Sequence, residues 1–282
     1  MEIRSLENIG FDTLFNAFER AFADYEIRFE KEEVRRMLTR RGYVPRLSFG
    51  AFDNGAIIAF TLNGIGMFNG VSTAYDTGTG TVKEYRGQGI AGKIFNHSLP
   101  YLKEAGIRQY LLEVLQDNTK AISVYSRMQF KTTRQFDCYR QTIDKVSRHM
   151  SVDDECIIKP VGMDFIRQAQ SFCDFIPSWQ NSMESIERGK SGLKYLGATI
   201  GRAAVGYCVF DPATGDITQI AVGKDYRRRG IGTRLFQEAV RGMETDFVKV
   251  LNVSADNHEM PSFLKNVNVD LASRQFEMLL QL

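Results

Sequence analysis

The chain has 282 residues, of which 25% are charged and 43% hydrophobic, and its formal net charge is +2 at pH 7. These proportions are those of an ordinary globular protein, and so small a charge gives no general attraction to nucleic acids or membranes. Residues 1–4 lack the layout of a signal peptide, and no apolar run reaches the roughly 18 residues that a membrane span needs. We expect a cytoplasmic protein of about two domains, without a nucleic-acid or membrane partner.

The first elements follow from apolar spacing and turn residues. A strand, two helices and a hairpin with Asn54-Gly55 at its turn are predicted over 1–7, 11–29, 30–41 and 47–62. The arginines of the second helix, which include Arg35, Arg36, Arg40 and Arg41, are expected to form a solvated basic face. The glycine-rich segment 63–70 is compatible with a flexible loop at an acceptor site or with a distorted turn, and the sequence does not separate these two interpretations.

A second glycine-rich stretch follows the next predicted strand. Residues 77–82 indicate a strand, 83–85 a charged turn, and the run R-G-Q-G-I-A-G at 86–92 opens an amphipathic helix. Glycines let backbone N–H groups approach an anion, and the free amides and dipole of a helix start favour negative charge. This stretch is therefore predicted to bind a phosphate group, and we call residues 86–92 the first phosphate loop.

Two ligand classes are compatible with the first phosphate loop. Gly87, Gly89 and Gly92 spell G-x-G-x-x-G, and Glu113 follows about 20 residues later, as in a dinucleotide-binding unit. In that fold, however, the first glycine directly follows the strand, whereas residues 83–86 intervene here. The competing pattern, (Arg or Gln)-x-x-Gly-x-(Gly or Ala), is met by Arg86, Gly89 and Ala91 and resembles the acyl-CoA loop of the GCN5-related N-acetyltransferases.

The residues after the first phosphate loop strengthen this resemblance. A strand over 106–114, a turn with Asn118 and a helix with Tyr125 that ends near 130 resemble the signature of the same family. The resemblance implies acetyl-CoA as co-substrate and transfer of its acetyl group to an amine. It also implies an α/β fold with a mixed, mostly antiparallel sheet, whose splayed middle strands are flanked by helices.

The chain contains the loop pattern twice. Arg227, Gly230 and Gly232 repeat Arg86, Gly89 and Ala91 at a separation of 227 − 86 = 141 residues, after a strand predicted over 217–222. The second copy does not contain G-x-G-x-x-G, so the acyl-CoA pattern is what both copies share. The sequence thus predicts two domains of one type, at 1–143 and 156–282, with a polar linker at 144–155. Further elements of the second domain are predicted over 156–160, 163–188 and 193–210.

The two loops and their neighbours supply the candidate CoA-binding residues. Backbone amides from Gly87 to Lys93 would hold the pyrophosphate, an N–H near Val82 would polarise the thioester carbonyl, and by resemblance Asn118 would bond the pantetheine arm. The candidates in the first domain are Val82, Arg86, Gly87, Gln88, Gly89, Ile90, Ala91, Gly92, Lys93 and Asn118. Those in the second are Val222, Arg227, Arg228, Arg229, Gly230, Ile231, Gly232 and Thr233.

Acetyl transfer also needs an acid and a base. Tyr125 is the candidate general acid, since a phenol of pKa about 10 can protonate a thiolate whose conjugate acid lies near 8.5. Asp76 and Glu113, on the strands before and after the first phosphate loop, are both candidates for the general base. A bulge at Gly78 or Gly80 would change the face that Asp76 takes, so the sequence leaves this choice open.

The second domain departs from the pattern where the chemistry would occur. Tyr125 lies seven positions after Asn118, and the same count from Asn257 reaches Leu264, which cannot protonate a thiolate. We expect this domain to be non-catalytic: it would bind CoA, line the acceptor pocket or recognise a substrate. The alternative for the whole chain is a non-enzymatic acyl-CoA sensor or interaction module in which Tyr125 is structural.

The remaining reactive side chains give no sign of a metal or of a thiol chemistry. The four cysteines form no C-x-x-C pair, and the three histidines are scattered, so neither a metal nor a disulfide is expected. The proposed acceptor is a small-molecule amine or a peptide amine. The oligomeric state is left open, and a monomer with a pseudo-twofold pair of domains is compatible with the repeat.

Overall fold

The structure is a computed structural model that describes residues 1–24, 30–147 and 155–282. Part of the predicted linker and residues 25–29 of the first predicted helix lie outside the described residues. The chain divides into two compact units, Met1–Thr133 with Phe276–Leu282, and Arg134–Gln275. Among the described residues, none of the helices has the length and apolar character needed to cross a membrane.

The elements alternate in a pattern that is similar in the two halves. The strands are β1 (Glu2–Ser5), β2 (Phe49–Asp53), β3 (Ala56–Phe68), β4 (Val71–Thr81), β5 (Gln109–Leu115), β6 (Lys131–Thr142), β7 (Cys156–Pro160), β8 (Lys194–Ile200), β9 (Ala203–Asp211), β10 (Asp216–Val222), β11 (Phe247–Ser254) and β12 (Asp270–Gln281). The helices are α1 (Phe11–Ala21), α2 (Lys31–Arg41), α3 (Ile90–Glu104), α4 (Thr119–Arg127), α5 (Met163–Ala169), α6 (Met183–Arg188), α7 (Ile231–Arg241) and α8 (Glu259–Asn266).

In the first unit, a sheet is covered by helices on both faces. Its strands are hydrogen-bonded in the order β1-β2-β3-β4-β5, and the end of β12 follows β5. β4 and β5 are parallel, whereas β1 to β4 pair antiparallel. Leu14 and Phe18 of α1 pack with Phe60 of β3 in one apolar cluster, and Phe95 of α3 packs with Tyr110 of β5 in another. These faces bury the apolar stripes that the helical spacing of α1 and α3 predicts.

The segment 63–70 is mostly strand, so both interpretations drawn from its glycines are wrong. β3 continues to Phe68, which pairs with Val71 of β4, and only the tip at Asn69 and Gly70 turns with positive φ. Gly64 is required for close packing, because a Cβ at this position would collide with the backbone carbonyl of Arg41 in α2. Glycine here permits close approach of two backbone segments.

The second unit repeats this arrangement. Its strands are bonded in the order β6-β11-β10-β9-β8-β7, with β10 and β11 parallel. Leu235 and Phe236 of α7 pack with Val205 and Cys208 of β9 and with Val248 of β11 in the main core cluster. The predicted boundaries of β7 and of the β8–β9 hairpin agree closely with the observed strands.

The two units differ from the predicted domains at both ends. Residues 134–143 lie in the second unit because β6 pairs antiparallel with β11, from Phe136 with Ser254 to Thr142 with Phe247. Residues 276–282 lie in the first unit, where the N–H of Leu282 donates to the carbonyl of Arg108 at 2.9 Å. A boundary read along the sequence does not detect such pairings, because the partner strands are distant in the chain.

Candidate active site and ligand cavity

The backbone of the phosphate loop is the same in both units. Gly87 and Gly89 have φ values of 78° and 69°, and Arg228 and Gly230, which lie 141 residues later, have 62° and 76°. In each loop this left-handed pair leads into the first turn of a helix, α3 or α7. The N-terminal amides of a helix are a general anion site. Arg228 adopts this conformation although it is not glycine, so the second loop keeps the shape despite a cost of about 1–2 kcal/mol.

The arginine that both loops share, Arg86 or Arg227, stabilises its own loop. Arg86 donates from Nε to the carbonyl of Thr81 at 3.0 Å and from Nη1 to Asp24 at 2.9 Å. Arg227 donates from Nε to the carbonyl of Val222 at 3.0 Å and from Nη2 to Asp174 at 2.8 Å. Both guanidinium groups therefore tie the loop to the preceding strand. A direct contribution of Arg86 to phosphate binding stays a prediction.

Two backbone groups assigned to CoA from the sequence are already bonded within the protein. The N–H of Val82 donates to the carbonyl of Ile58 at 2.9 Å, which is at odds with its predicted role in polarising the thioester. The N–H of Lys93 donates to the carbonyl of Gly89 at 3.1 Å as part of α3. Helix geometry explains the second case, because N–H groups beyond the first turn bond to carbonyls inside the helix.

The other loop residues divide into exposed and core positions. Gly87, Gln88 and Gly89 are exposed, and Ala91 is half-buried, whereas the Ile90 side chain is 3% exposed and packs in an apolar cluster with Ile94. Gly92 lies against the Met128 methyl group, since a Cβ there would come within 3.2 Å of it. The predicted phosphate binding in the first unit would therefore fall to the amides near the start of α3. In the second unit, Ile231 is buried in the same manner as Ile90.

Beside each loop, the parallel strands separate. In the first unit, the pairing of β4 with β5 covers Thr73–Tyr75, and β4 then continues to Thr81 along β3. In the second, β10 pairs with β11 at Asp216. Both β4 and β10 also carry a bulge, at Thr77 and Thr218, again 141 residues apart. A gap therefore opens next to each phosphate loop, at equivalent positions.

Asp76 and Tyr125 meet at the gap of the first unit. The hydroxyl of Tyr125 donates to Oδ2 of Asp76 at 3.5 Å, a long hydrogen bond. Asp76 also accepts from the N–H of Gly78 at 2.9 Å and from the hydroxyl of Thr79 at 2.8 Å. Burial raises the pKa of Asp76 to about 6, although these bonds and the charge of Arg41 lower it. Such a carboxyl group titrates close to neutral pH, as a general base must.

Glu113 lies on the opposite face of the sheet from Tyr125. Tyr110 pairs with Ala74 and packs in the cluster that contains Tyr125, so strand alternation places Glu113 on the other face. There Glu113 is hydrogen-bonded to Tyr75, whose pKa is raised well above its usual value by burial and then by Glu113. The structure therefore brings together Asp76 and Tyr125, and separates both from Glu113.

The asparagine of the motif bonds to the first turn of a helix in both units, as the N-cap residue of α4 and as the residue before the N-cap of α8. Oδ1 of Asn118 accepts from the N–H of Ala121 at 3.1 Å, and Oδ1 of Asn257 accepts from the N–H of Met260 at 2.8 Å. Capping of this kind stabilises a helix by about 1 kcal/mol. The predicted contact of Asn118 with the pantetheine arm stays a prediction.

The second unit has apolar residues in place of both polar partners. Ile217, at 76 + 141, occupies the position of Asp76, and Leu264 occupies that of Tyr125. They are 1% and 0% exposed and belong to one core cluster. An aliphatic pair takes the place of the tyrosine hydroxyl and the carboxylate, so these two positions of the second unit carry no side-chain proton donor or acceptor.

The second unit nevertheless contains a cavity of about 320 Å³ beside its phosphate loop. Arg227, Arg228 and residues 230–233 of the loop line it, together with both separated strands. One side is polar: Gln219 donates to the carbonyl of Asn181 at 2.7 Å and accepts from the hydroxyl of Tyr207 at 2.8 Å. Gln219, at 78 + 141, takes the place of Gly78, so the second unit has a polar side chain where the first has none.

Several polar residues at the first site escaped the sequence analysis. Arg41 donates from Nη1 to the carbonyl of Thr77 at 3.0 Å, and Asn63 donates from Nδ2 to the carbonyl of Leu47 at 2.6 Å while it accepts from the hydroxyl of Tyr110. Asn63 interrupts an apolar run, which is a signal that the sequence did contain. Arg41 gave no such signal within its basic helix.

Among the described residues, no group of three His, Cys, Asp or Glu side chains is placed to hold a metal ion.

Sequence comparison finds similarity to acetyltransferases. The profile of the Acetyltransferase (GNAT) family matches residues 11–130 and 164–267. N-alpha-acetyltransferase 30 of Schizosaccharomyces pombe is 38% identical over 87 residues, which are 30% of this chain and 58% of that protein. N-alpha-acetyltransferase MAK3 of Arabidopsis thaliana is 27% identical over 119 residues, 41% of this chain and 63% of that protein. The matches thus span about three fifths of these relatives.

Solved structures show the same fold over the whole chain. A tandem GNAT protein from the clavulanic acid biosynthesis pathway has a TM-score of 0.75 at 14% identity, and covers 99% of this chain and 98% of its own. A GCN5-related N-acetyltransferase from Sphaerobacter thermophilus has a TM-score of 0.74 at 14% identity, with 99% and 95% covered. At these identities the likeness concerns the fold alone.

Proposed function

Because the chain belongs to the acetyltransferase (GNAT) family, we propose that its first unit transfers the acetyl group of acetyl-CoA to a primary amine. The observation that carries this proposal is the contact of Tyr125 with Asp76 at 3.5 Å, in the strand gap beside an anion-binding loop. The second unit, with Ile217 and Leu264 at these positions, serves as an internal comparison. A polar pair that is present in one repeat and absent from the other indicates chemistry in the first.

The transfer follows from the groups around the gap. Amides near the start of α3 hold the pyrophosphate, and the thioester lies between the separated ends of β4 and β5. The amine nitrogen attacks the thioester carbonyl carbon, the C–N bond forms, and the C–S bond breaks. Tyr125 gives its proton to the departing thiolate, and a carboxylate accepts the proton that the amine loses.

We assign the base role first to Asp76 and second to Glu113. With a pKa of about 6, Asp76 is ionised at neutral pH and is a stronger base than an ordinary carboxylate. Glu113, bonded to Tyr75 on the other face of the sheet, is the second candidate because an acceptor entering from that face would meet it. Rate measurements on Asp76→Asn and Glu113→Gln across pH separate the two, since the pH limb disappears only when the base is removed.

The acceptor is proposed to be a small-molecule or peptide amine. The support for a peptide is the similarity to two proteins named N-alpha-acetyltransferases. We also propose a cytoplasmic location, which agrees with four cysteines that are all present as thiols.

Thiol release from acetyl-CoA against a panel of amines tests the catalytic proposal. The panel contains diamines, amino acids, and peptides with free and with blocked N-termini, and each is assayed with wild type and Tyr125→Phe. We expect at least one amine to give thiol release that the variant loses. Binding of acetyl-CoA without release toward any amine would favour the alternative, a non-catalytic acyl-CoA sensor.

For the second unit we propose CoA binding without transfer. Its support is the cavity of about 320 Å³ at a phosphate loop of preserved shape, combined with the loss of both polar partners. Gln219, where the first unit has Gly78, would close the side from which an acceptor approaches. Calorimetry with CoA should give two sites for wild type, one for Gly230→Ala and one for Gly89→Ala. A single wild-type site that Gly89→Ala removes would contradict binding by the second unit.

A further inference from the structure

Arg41 connects α2 to the bulge of β4. It is the last residue of α2 and is half-buried, and its Nη1 donates to the carbonyl of Thr77 at 3.0 Å. Thr77 is the additional residue of the bulge, because Asp76 pairs with Asn63 and Gly78 pairs with Leu62. The expectation that this arginine belongs to a solvated face is therefore wrong. It contacts the backbone next to the proposed base.

The backbone around Arg41 is fixed to the sheet. Gly42 ends α2 with a φ of 78°, and its carbonyl accepts from the N–H of Ile65 in β3 at 2.9 Å. The carbonyl of Arg41 lies so close to Gly64 that no other residue fits there. The main chain of Arg41 is held on both sides, so little further conformational entropy is lost when its side chain bonds to Thr77. This favours a single position for the guanidinium group.

The charge of Arg41 acts on the groups around the gap. It lowers the pKa of Asp76, against the larger effect of burial, and it also lowers that of Tyr75. The other groups that face Asp76 are the Thr79 hydroxyl, the Gly78 N–H and the Tyr125 hydroxyl. Tyr110 on β5 is near as well, since burial and then the charge of Asp76 raise its pKa. Arg41 is the cation of this set.

We infer that Arg41 is a positioning residue for the proposed acetyl transfer, which holds the Thr77 bulge in place and sets a positive charge near the Asp76 carboxylate. The bulge decides which way Asp76 points, because one additional residue reverses the alternation of the strand. The inference rests on the proposed function for its effect on rate. Its structural part concerns Asp76 itself and is measurable without turnover.

Three variants separate the charge of Arg41 from its hydrogen bond. Arg41→Gln keeps an N–H donor but removes the charge, Arg41→Lys keeps the charge, and Arg36→Gln removes an exposed charge from the same helix. The Asp76 carboxyl carbon is titrated by NMR in each protein, and kcat/KM is followed from about pH 5 to about pH 9. Thermal unfolding monitored by circular dichroism confirms that each variant folds.

In Arg41→Gln we expect Asp76 to titrate about one pH unit higher and the acid limb of kcat/KM to move with it, a loss of about tenfold below the limb. Arg41→Lys and Arg36→Gln should retain the wild-type titration. An unchanged titration of Asp76 in Arg41→Gln would overturn the inference, whatever the activity. A shifted titration in a protein that transfers acetyl to no amine would instead leave Arg41 in its role and contradict the proposed function.

Discussion

The hydroxyl of Tyr125 on α4 lies 3.5 Å from Oδ2 of Asp76 on β4, across a sequence separation of 49 residues. The ring of Tyr125 packs edge-on against Phe130, with centroids 5.7 Å apart, so its orientation is set by aromatic contacts as well as by the hydrogen bond. A phenol fixed in this way can face both a carboxylate and a departing thiolate. The predictions below concern this pair and the elements that hold it.

Tyr125→Phe should reduce kcat about 10²- to 10⁴-fold and leave the affinity for acetyl-CoA unchanged. Phenylalanine keeps the packing on Phe130 and removes only the proton donor. Steady-state kinetics and calorimetry measure the two quantities. The control is Tyr101→Phe, which changes a tyrosine that is 46% exposed and should have wild-type rates. An equal loss of rate and affinity in Tyr125→Phe would indicate a structural tyrosine.

Asp76→Asn should lose acetyl-transfer activity. Above about pH 6 it should also have a higher free energy of unfolding than the wild-type protein. The folded pKa of Asp76 is about 6 and its ordinary value is 3.8, so between these values the folded state holds the proton more tightly than the unfolded state. Stability from this group is therefore greatest at low pH and decreases as pH rises through that window, by about 1–3 kcal/mol in total.

Asparagine carries no charge and should avoid this loss. Urea unfolding of wild type and Asp76→Asn at pH values on either side of the window measures the difference. If the free energy of unfolding had the same pH dependence in both proteins, the pKa of Asp76 would not be raised in the folded state. Asp53→Asn is a control at another site of the same unit. In the wild-type protein, the carboxylate of Asp53 accepts a hydrogen bond from the Tyr85 hydroxyl at 2.9 Å.

Gly89→Ala should destabilise the first unit by about 1–2 kcal/mol and weaken acetyl-CoA binding there. The φ of Gly89 is 69°, a conformation in which a Cβ is unfavourable, although no atom lies within 4 Å of the site. Gly162→Ala is the matched control, because Gly162 also has open space around it and its φ is −91°. Denaturant unfolding and calorimetry check both. A fully stable Gly89→Ala with normal affinity would show that the loop does not need this backbone.

Met278→Ala should destabilise the first unit by about 2–5 kcal/mol, although the residue lies near the other end of the chain. Met278 is 2% exposed and packs in the cluster of Tyr110 and Phe130. Hydrogen exchange should show faster opening of β5 than of β9 in the second unit. Leu271→Ala on the same strand changes a residue that is 42% exposed and should cost less than about 0.5 kcal/mol. Faster exchange in β9 instead would contradict this assignment of β12.

The family and the fold class could be predicted from the sequence, and the comparisons confirm both. The prediction succeeded for features that residues close in the chain decide: the helix starts that follow both phosphate loops, and the β8–β9 hairpin. It failed for segment 63–70, where glycine serves a contact with Arg41 from another element. It also did not identify the bonds of Val82 and Lys93, which satisfy buried or helical N–H groups.

The sequence by itself determined that the chain contains two similar loops that each open a helix, because glycine conformation and helix starts are local properties. It also determined that the first copy has Tyr125 where the second has Leu264. The tertiary structure alone decided that Tyr125 meets Asp76 and not Glu113, and that residues 276–282 complete the first unit. These outcomes depend on strand register, on the Thr77 bulge and on backbone bonds between distant segments, none of which is specified by spacing along the chain.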